Sequence, residues 1–99
     1  MEYIYDGSFD GLLCCLYAHV YEEKAENILA EKNADQYSLA ARKYISTDET
    51  KAEKVASAIE RKISPYSLRR CYKAYLSEQV GLEMDILNYV FFGFKTGSQ

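Results

Sequence analysis

The hydrophobic period of residues 1–21 changes once, across Asp6-Gly7-Ser8, and this change constrains the fold more than any other feature of the chain. Met1 to Tyr5 alternates and is rich in Tyr and Ile, which suits a short strand. Asp6-Gly7-Ser8 is turn chemistry, and the Ser8 hydroxyl can accept a bond from an early N–H of a helix that follows. Phe9, Leu12, Leu13, Leu16, Val20 and, at the margin, Tyr17 then recur at helical spacing on one face. Asp10 falls in the first turn, where the helix dipole favours negative charge. The spacing predicts a helix over about Phe9 to Tyr21.

The pattern weakens from Glu22 to Arg42. Asn27-Ile28-Leu29-Ala30 has the makings of a short strand, and Ala34 to Ala41 reads as either helix or loop. Lys43-Tyr44-Ile45-Ser46 reads as a further strand, ending at the helix-start signal Thr47-Asp48. Beyond it, Ala52, Val55, Ala56, Ile59 and Ile63 fall within a narrow arc, with charged residues around the remainder. Ser64-Pro65 ends that helix and starts another, Ser as cap and Pro at the first helical position. The third helix is expected to run to about Gln79, its inner face Leu68, Cys71, Tyr72, Tyr75 and Leu76. Gly81 interrupts, and Leu82 to Phe92 forms a fourth helix. This one is apolar on both sides: Leu82, Ile86, Tyr89 and Val90 on one, Met84, Leu87 and Phe91 on the other. Such a helix is covered twice, so Met84, Leu87 and Phe91 are expected at an interface with a missing half or a second copy. No internal repeat or low-complexity segment occurs.

The expected architecture is therefore α+β, a single domain over residues 1–99. A small sheet of two or three short strands should carry three or four helices, packed mainly on one face. At 99 residues the chain has room for one modest core, and 48% hydrophobic with 27% charged content is that of a globular protein. A net charge of −3 and a pI near 5.1 argue against an unselective nucleic-acid binder while leaving room for a local basic patch. No apolar run reaches the roughly 18 residues of a membrane span, and no secretory signal opens the chain. Cys14, Cys15 and Cys71 suggest no disulfide framework, so a reducing, cytoplasmic setting is expected. CxxC, GxGxxG, Walker A and HExxH patterns are all absent, as is the three-cysteine cluster of a radical-SAM site.

Three segments resemble a known family. Tyr5-Asp6-Gly7-Ser8-Phe9-Asp10-Gly11-Leu12 is similar to its opening YDGSF[ED]G motif. Ile45-Ser46-Thr47-Asp48, with Ala52 and Val55, resembles a second segment, and Ala74-Tyr75-Leu76-Ser77-Glu78 a third. The family is the bacterial group of DNA-metabolism or DNA-repair proteins that carry the domain of unknown function DUF4130. Its members are typically encoded beside a radical-SAM DNA-modification protein, and some are fused to a uracil-DNA glycosylase-like domain. The likeness spans about residues 3 to 93 and corresponds to the family's N-terminal part. The second half, with its aromatic- and Arg-rich segment, has no counterpart here. The resemblance implies a module that binds DNA or docks the radical-SAM protein or the missing C-terminal domain. No membrane is implied, and a homodimer is an alternative.

The residues themselves offer one binding constellation. Between Arg61 and Leu76 lie Arg61, Lys62, Arg69, Arg70 and Lys73 with no acid among them. Arg69, Arg70 and Lys73 share an arc of about 100°, opposite the Leu68/Cys71 side. Such a face holds phosphates, and Tyr66 at its start can stack on a base. The competing reading is a solvated helix face whose charges pair with acids elsewhere. Other constellations point to structure instead. Cys15 and His19, four apart, can share a metal with Cys71, yet they also suit the core, so neither metal nor cofactor is expected. Glu22, Glu23, Glu26, Glu49, Glu53 and Glu60 suit exposed helical faces. Glu78 near a helix end opposes the dipole and calls for a fixed cationic partner such as an Arg. A contribution of Asp6, Ser8 or Asp48 to an enzyme site completed by another domain is weighed against capping and turn formation.

Overall fold

The computed structural model describes residues 1–96. Three parallel strands and four helices follow in the order β1 (Glu2–Tyr5), α1 (Phe9–Tyr21), β2 (Asn27–Ala30), β3 (Arg42–Tyr44), α2 (Glu49–Lys62), α3 (Pro65–Leu76) and α4 (Leu82–Thr96). The sheet order is β2-β1-β3, so the first strand made is the central one. Tyr3 pairs with Ile28 on one side and Lys43 on the other. This is the α+β fold with a small sheet that the periodicity called for.

Strand alternation sorts the sheet into two faces. Tyr3, Tyr5, Ile28 and Ala30 point into a core shared with Leu12, Leu16, Ile59, Cys71, Ile86 and Val90. Glu2 and Ile4 take the opposite face, where the polar residues form a cross-strand row. Glu2 Oε1 accepts from Arg42 Nε at 2.8 Å, and Glu2 Oε2 accepts from Asn27 Nδ2 at 3.1 Å. Arg42 and Asn27 both hold the Glu2 carboxylate below its usual range, the guanidinium most of all. One residue thus ties both outer strands to the middle one.

The opening motif is spent on its own turn. Ser8 caps α1, its Oγ accepting from Gly11 N at 2.9 Å. Asp6 Oδ1 accepts from the Ser8 N–H and the Ser8 hydroxyl, and Asp6 Oδ2 accepts from Thr47 Oγ1 at 2.8 Å. These bonds, Ser8 first, lower the Asp6 pKa. Gly7 turns at φ +90°, where a side chain is strained. Gly11 is needed for space: a Cβ there would lie 2.5 Å from Asp6 Oδ1 and 2.9 Å from Thr47 Oγ1.

Several boundaries and faces differ from expectation. The strand read at Lys43–Ser46 is Arg42–Tyr44, although Ile45 N still donates to Ile4 O at 2.8 Å and so extends the ladder. Residues 31–41 form no helix beyond a short 3-10 turn at Glu31–Asn33. In α1 the buried arc shifts. Gly11, Cys14, Cys15 and Ala18 join Leu12, Leu13 and Leu16, while Val20 is exposed, because α2 and β1 pack on the helix and leave its end partly open. Helix α3 stops at Leu76, three residues early, because Glu78 adopts φ 53° and cannot continue it. Tyr72 and Leu76, read as inner-face residues, are exposed, and only Ser67 and Cys71 of α3 are fully buried.

A further difference concerns α4. It packs on α2, α3 and β2, which bury part of each of its apolar sides. Leu87 is 3% exposed and belongs to the core; Met84 and Phe91 are half-buried against it. The His19 ring stands edge-on to Phe91 at 4.7 Å between centroids. Of the expected interface residues Met84, Leu87 and Phe91, Leu87 thus lies inside the core, while Met84 and Phe91 keep part of their surface open.

Candidate nucleic-acid interface

Helix α3 carries the basic constellation. Its start is fixed by Ser64, whose Oγ accepts from Ser67 N at 3.0 Å, and by Pro65 in the first turn. Ser67 and Cys71 face inward, and burial pushes the Cys71 thiol up to about 11. Tyr66, Arg69, Arg70 and Lys73 all stand on the exposed side.

Tyr66 is the centre of a cluster. The Arg69 guanidinium lies 5.7 Å and that of Arg70 5.5 Å from its ring centroid, within cation–π range. Arg70 also stands 5.8 Å from the ring of Tyr89 on α4. Tyr89 is itself anchored: its hydroxyl donates to Ser67 Oγ at 3.1 Å, and that oxygen lies 2.9 Å from Ser64 Oγ. Two tyrosines and two guanidiniums thus share one surface through cation–π contacts, with Tyr89 tied back to the helix cap by hydroxyl bonds. Lys73 continues the α3 face one turn on. Arg61 and Lys62, at the end of α2, are exposed as well, but Lys62 leans over Phe94 at 6.0 Å and so stands apart from the Tyr66 cluster.

The solvated-face reading required acidic partners for these charges. Among the described residues, the ion pairs are the Met1 amino group with Glu26, Lys32 with Glu78, Arg42 with Glu2, and Lys43 with Glu22. Arg61, Lys62, Arg69, Arg70 and Lys73 take part in none of them. Glu78 has a lysine partner in place of the expected arginine, at 4.0 Å and well exposed, and it lies beyond the helix end.

The remaining constellations are structural. Cys15 is wholly buried, and burial raises its pKa, so it holds no nucleophilic thiolate at neutral pH. Cys14 Sγ lies 3.3 Å from both the N and the O of Asp48, bracing the start of α2. His19 Nδ1 accepts from Ala25 N at 2.8 Å, and desolvation lowers its pKa. No group of three or more His, Cys, Asp or Glu among the described residues is placed to hold a metal. Asp48 caps α2 by accepting from Thr50 N and Lys51 N, as Ser8 caps α1. A cavity of about 780 Å³ opens at the C-terminal ends of β1 and β2. Its acids are already engaged: Asp6 by Ser8 and Thr47, Glu83 by Tyr5, and Glu78 by Lys32.

Comparison with family models, with curated proteins and with solved structures finds no match. The site therefore rests on its own geometry. No helix of the described residues is long and apolar enough to cross a membrane. Helical spacing puts Arg69, Arg70 and Lys73 on one face, and all three are exposed in the structure, with Tyr66 beside the two arginines. Tyr89, which by spacing lies on the Leu82/Ile86 side of α4, is the residue of this cluster that the sequence does not point to. Only the crossing of α3 and α4 brings Tyr89 beside Arg70, and no pattern within α4 announces that.

Proposed function

We propose that this chain is a non-catalytic nucleic-acid-binding module, of the kind that the resemblance to DUF4130 DNA-metabolism proteins implies. The observation that carries this reading is the unpaired array of Arg69 and Arg70 around exposed Tyr66, continued by Lys73. Guanidiniums bind phosphate oxygens bidentately, and an aromatic ring beside them offers a stacking surface. The net charge of −3 keeps the rest of the molecule from adding to this attraction. Binding is therefore local, modest and salt-dependent. About three phosphate contacts give a slope of log affinity against log salt near −2 for single strands.

Fluorescence anisotropy with labelled single- and double-stranded DNA, from low to physiological salt, tests this directly. The triple variant R69E/R70E/K73E should lose the binding, and Tyr66→Ala should weaken single strands more than duplex. Absence of binding at low salt would defeat the proposal. Docking of a radical-SAM companion is the second role the resemblance implies, and the same α3 face is its natural candidate if that partner presents acidic residues.

A further inference from the structure

A second surface has a different chemistry. A groove of about 380 Å³ runs between α1, α2 and α4. Val20 and Tyr21 form one side of it, and Phe91 and Phe94 another. Val20 is 48% and Tyr21 71% exposed, so the chain leaves this apolar lining open.

The third wall is α2, and its charges are sorted by sign. On a helical projection Glu49, Glu53 and Glu60 fall within an arc of about 40° on one flank of the buried Ala52/Val55/Ile59 stripe. Lys51, Lys54, Arg61 and Lys62 occupy about 100° on the other flank. The basic flank is the one turned to the groove. Lys54 and Lys62 line it with the small residue Ala58 between them, and Lys51 Nζ stands 5.2 Å from the ring centroid of Tyr17, another lining residue. None of these lysines joins an ion pair among the described residues.

We propose that this groove docks an acidic amphipathic helix of a partner protein, apolar side chains on the Val20/Tyr21/Phe94 lining and carboxylates against the α2 lysines. The spacing selects that occupant. Lys51 to Lys62 covers about 16 Å of helix, and three ammoniums over that length match a series of carboxylates one or two turns apart. An anionic amphiphile brings a single head group. A phosphate backbone would leave the apolar lining unfilled. This surface is separate from the Tyr66 cluster, and the inference does not depend on nucleic-acid binding.

The test uses the 99-residue chain, ¹⁵N-labelled, and two synthetic 18-residue helical peptides that share a Leu/Phe face. One carries Glu along the flanks of that face and the other Lys. The Glu peptide should bind saturably, at least tenfold more tightly than the Lys peptide, with amide shifts centred on Val20, Tyr21, Ala58 and Phe94. In K54E/K62E, whose substituted side chains are exposed and whose fold is checked by circular dichroism, the preference should invert in favour of the Lys peptide. Equal binding of both peptides would mean apolar adhesion only and would overturn the proposal. So would shifts centred on α3, absence of saturable binding, or a loss of oligonucleotide affinity in K54E/K62E as large as in the α3 triple variant.

Discussion

The Tyr5 hydroxyl donates to Glu83 Oε2 at 2.8 Å, tying the central strand to the first turn of the last helix. Both side chains are buried, and the start of α4 favours the carboxylate's charge. Burial first, then the carboxylate, drive the phenol pKa upward, so the proton stays on Tyr5. Tyr5→Phe would leave Glu83 buried with one bond fewer, at a cost of about 1–3 kcal/mol. Glu83→Gln keeps an acceptor for the hydroxyl and should cost less. Urea denaturation of both variants measures the difference, and equal losses would show that the charge matters rather than the bond.

Gly11 separates helix propensity from packing. Alanine is better than glycine inside a helix by about 1 kcal/mol. Yet a Cβ at this position would lie 2.5 Å from Asp6 Oδ1, 2.9 Å from Thr47 Oγ1 and 3.0 Å from Ser8 Oγ. Accommodating it disrupts the capping turn, so Gly11→Ala is expected to destabilise by about 1–3 kcal/mol despite the propensity gain. A thermal melt showing higher stability would contradict the close approach.

His19 sets the acid side of the stability curve. Its folded pKa lies below the ordinary 6.5 because desolvation opposes the charged ring, whose Nδ1 also accepts from Ala25 N. The unfolded chain therefore binds the extra proton first, and stability falls as pH drops below about 6.5. A second loss follows below the ordinary carboxylate range as Glu2 and Asp6, both with lowered pKa values, take up protons. In His19→Gln the melting temperature should lose its pH dependence just below 6.5 while keeping the lower step.

The three thiols should report global opening. Cys14, Cys15 and Cys71 are buried and free, and burial raises all three pKa values. At pH 7 a thiol of pKa about 11 is thiolate roughly one part in ten thousand, before any steric protection. Labelling with an aromatic disulfide should thus proceed at the unfolding rate for all three sites. A single fast-reacting thiol would reveal local opening at its helix.

Much of this was legible because local rules and tertiary packing agree. Ser8, Asp48 and Ser64 cap the helices they precede, and α1 spans Phe9–Tyr21 as its periodicity indicates. Reading failed where the outcome depends on elements distant in sequence. Val20 repeats with the apolar stripe of α1 yet stays half open at the rim of the groove, and Leu87 looks unpartnered until the packing of α4 on α2, α3 and β2 buries it. The same limit applies to the candidate interface. Arg69, Arg70 and Lys73 can be projected onto one helical face, but the addition of Tyr89 requires knowing how α4 crosses α3.

The central position of β1 also governs how the molecule can assemble. The sheet contains no hairpin: Glu2 reaches partners 25 and 40 positions away, in Asn27 and Arg42. Helices form in about a microsecond, whereas pairings of this kind wait on the closure of long chain segments. A mostly helical protein is therefore expected to refold at a pace set by its smallest element. Until Asn27 and Arg42 have both arrived, β1 stays without a neighbour on at least one side.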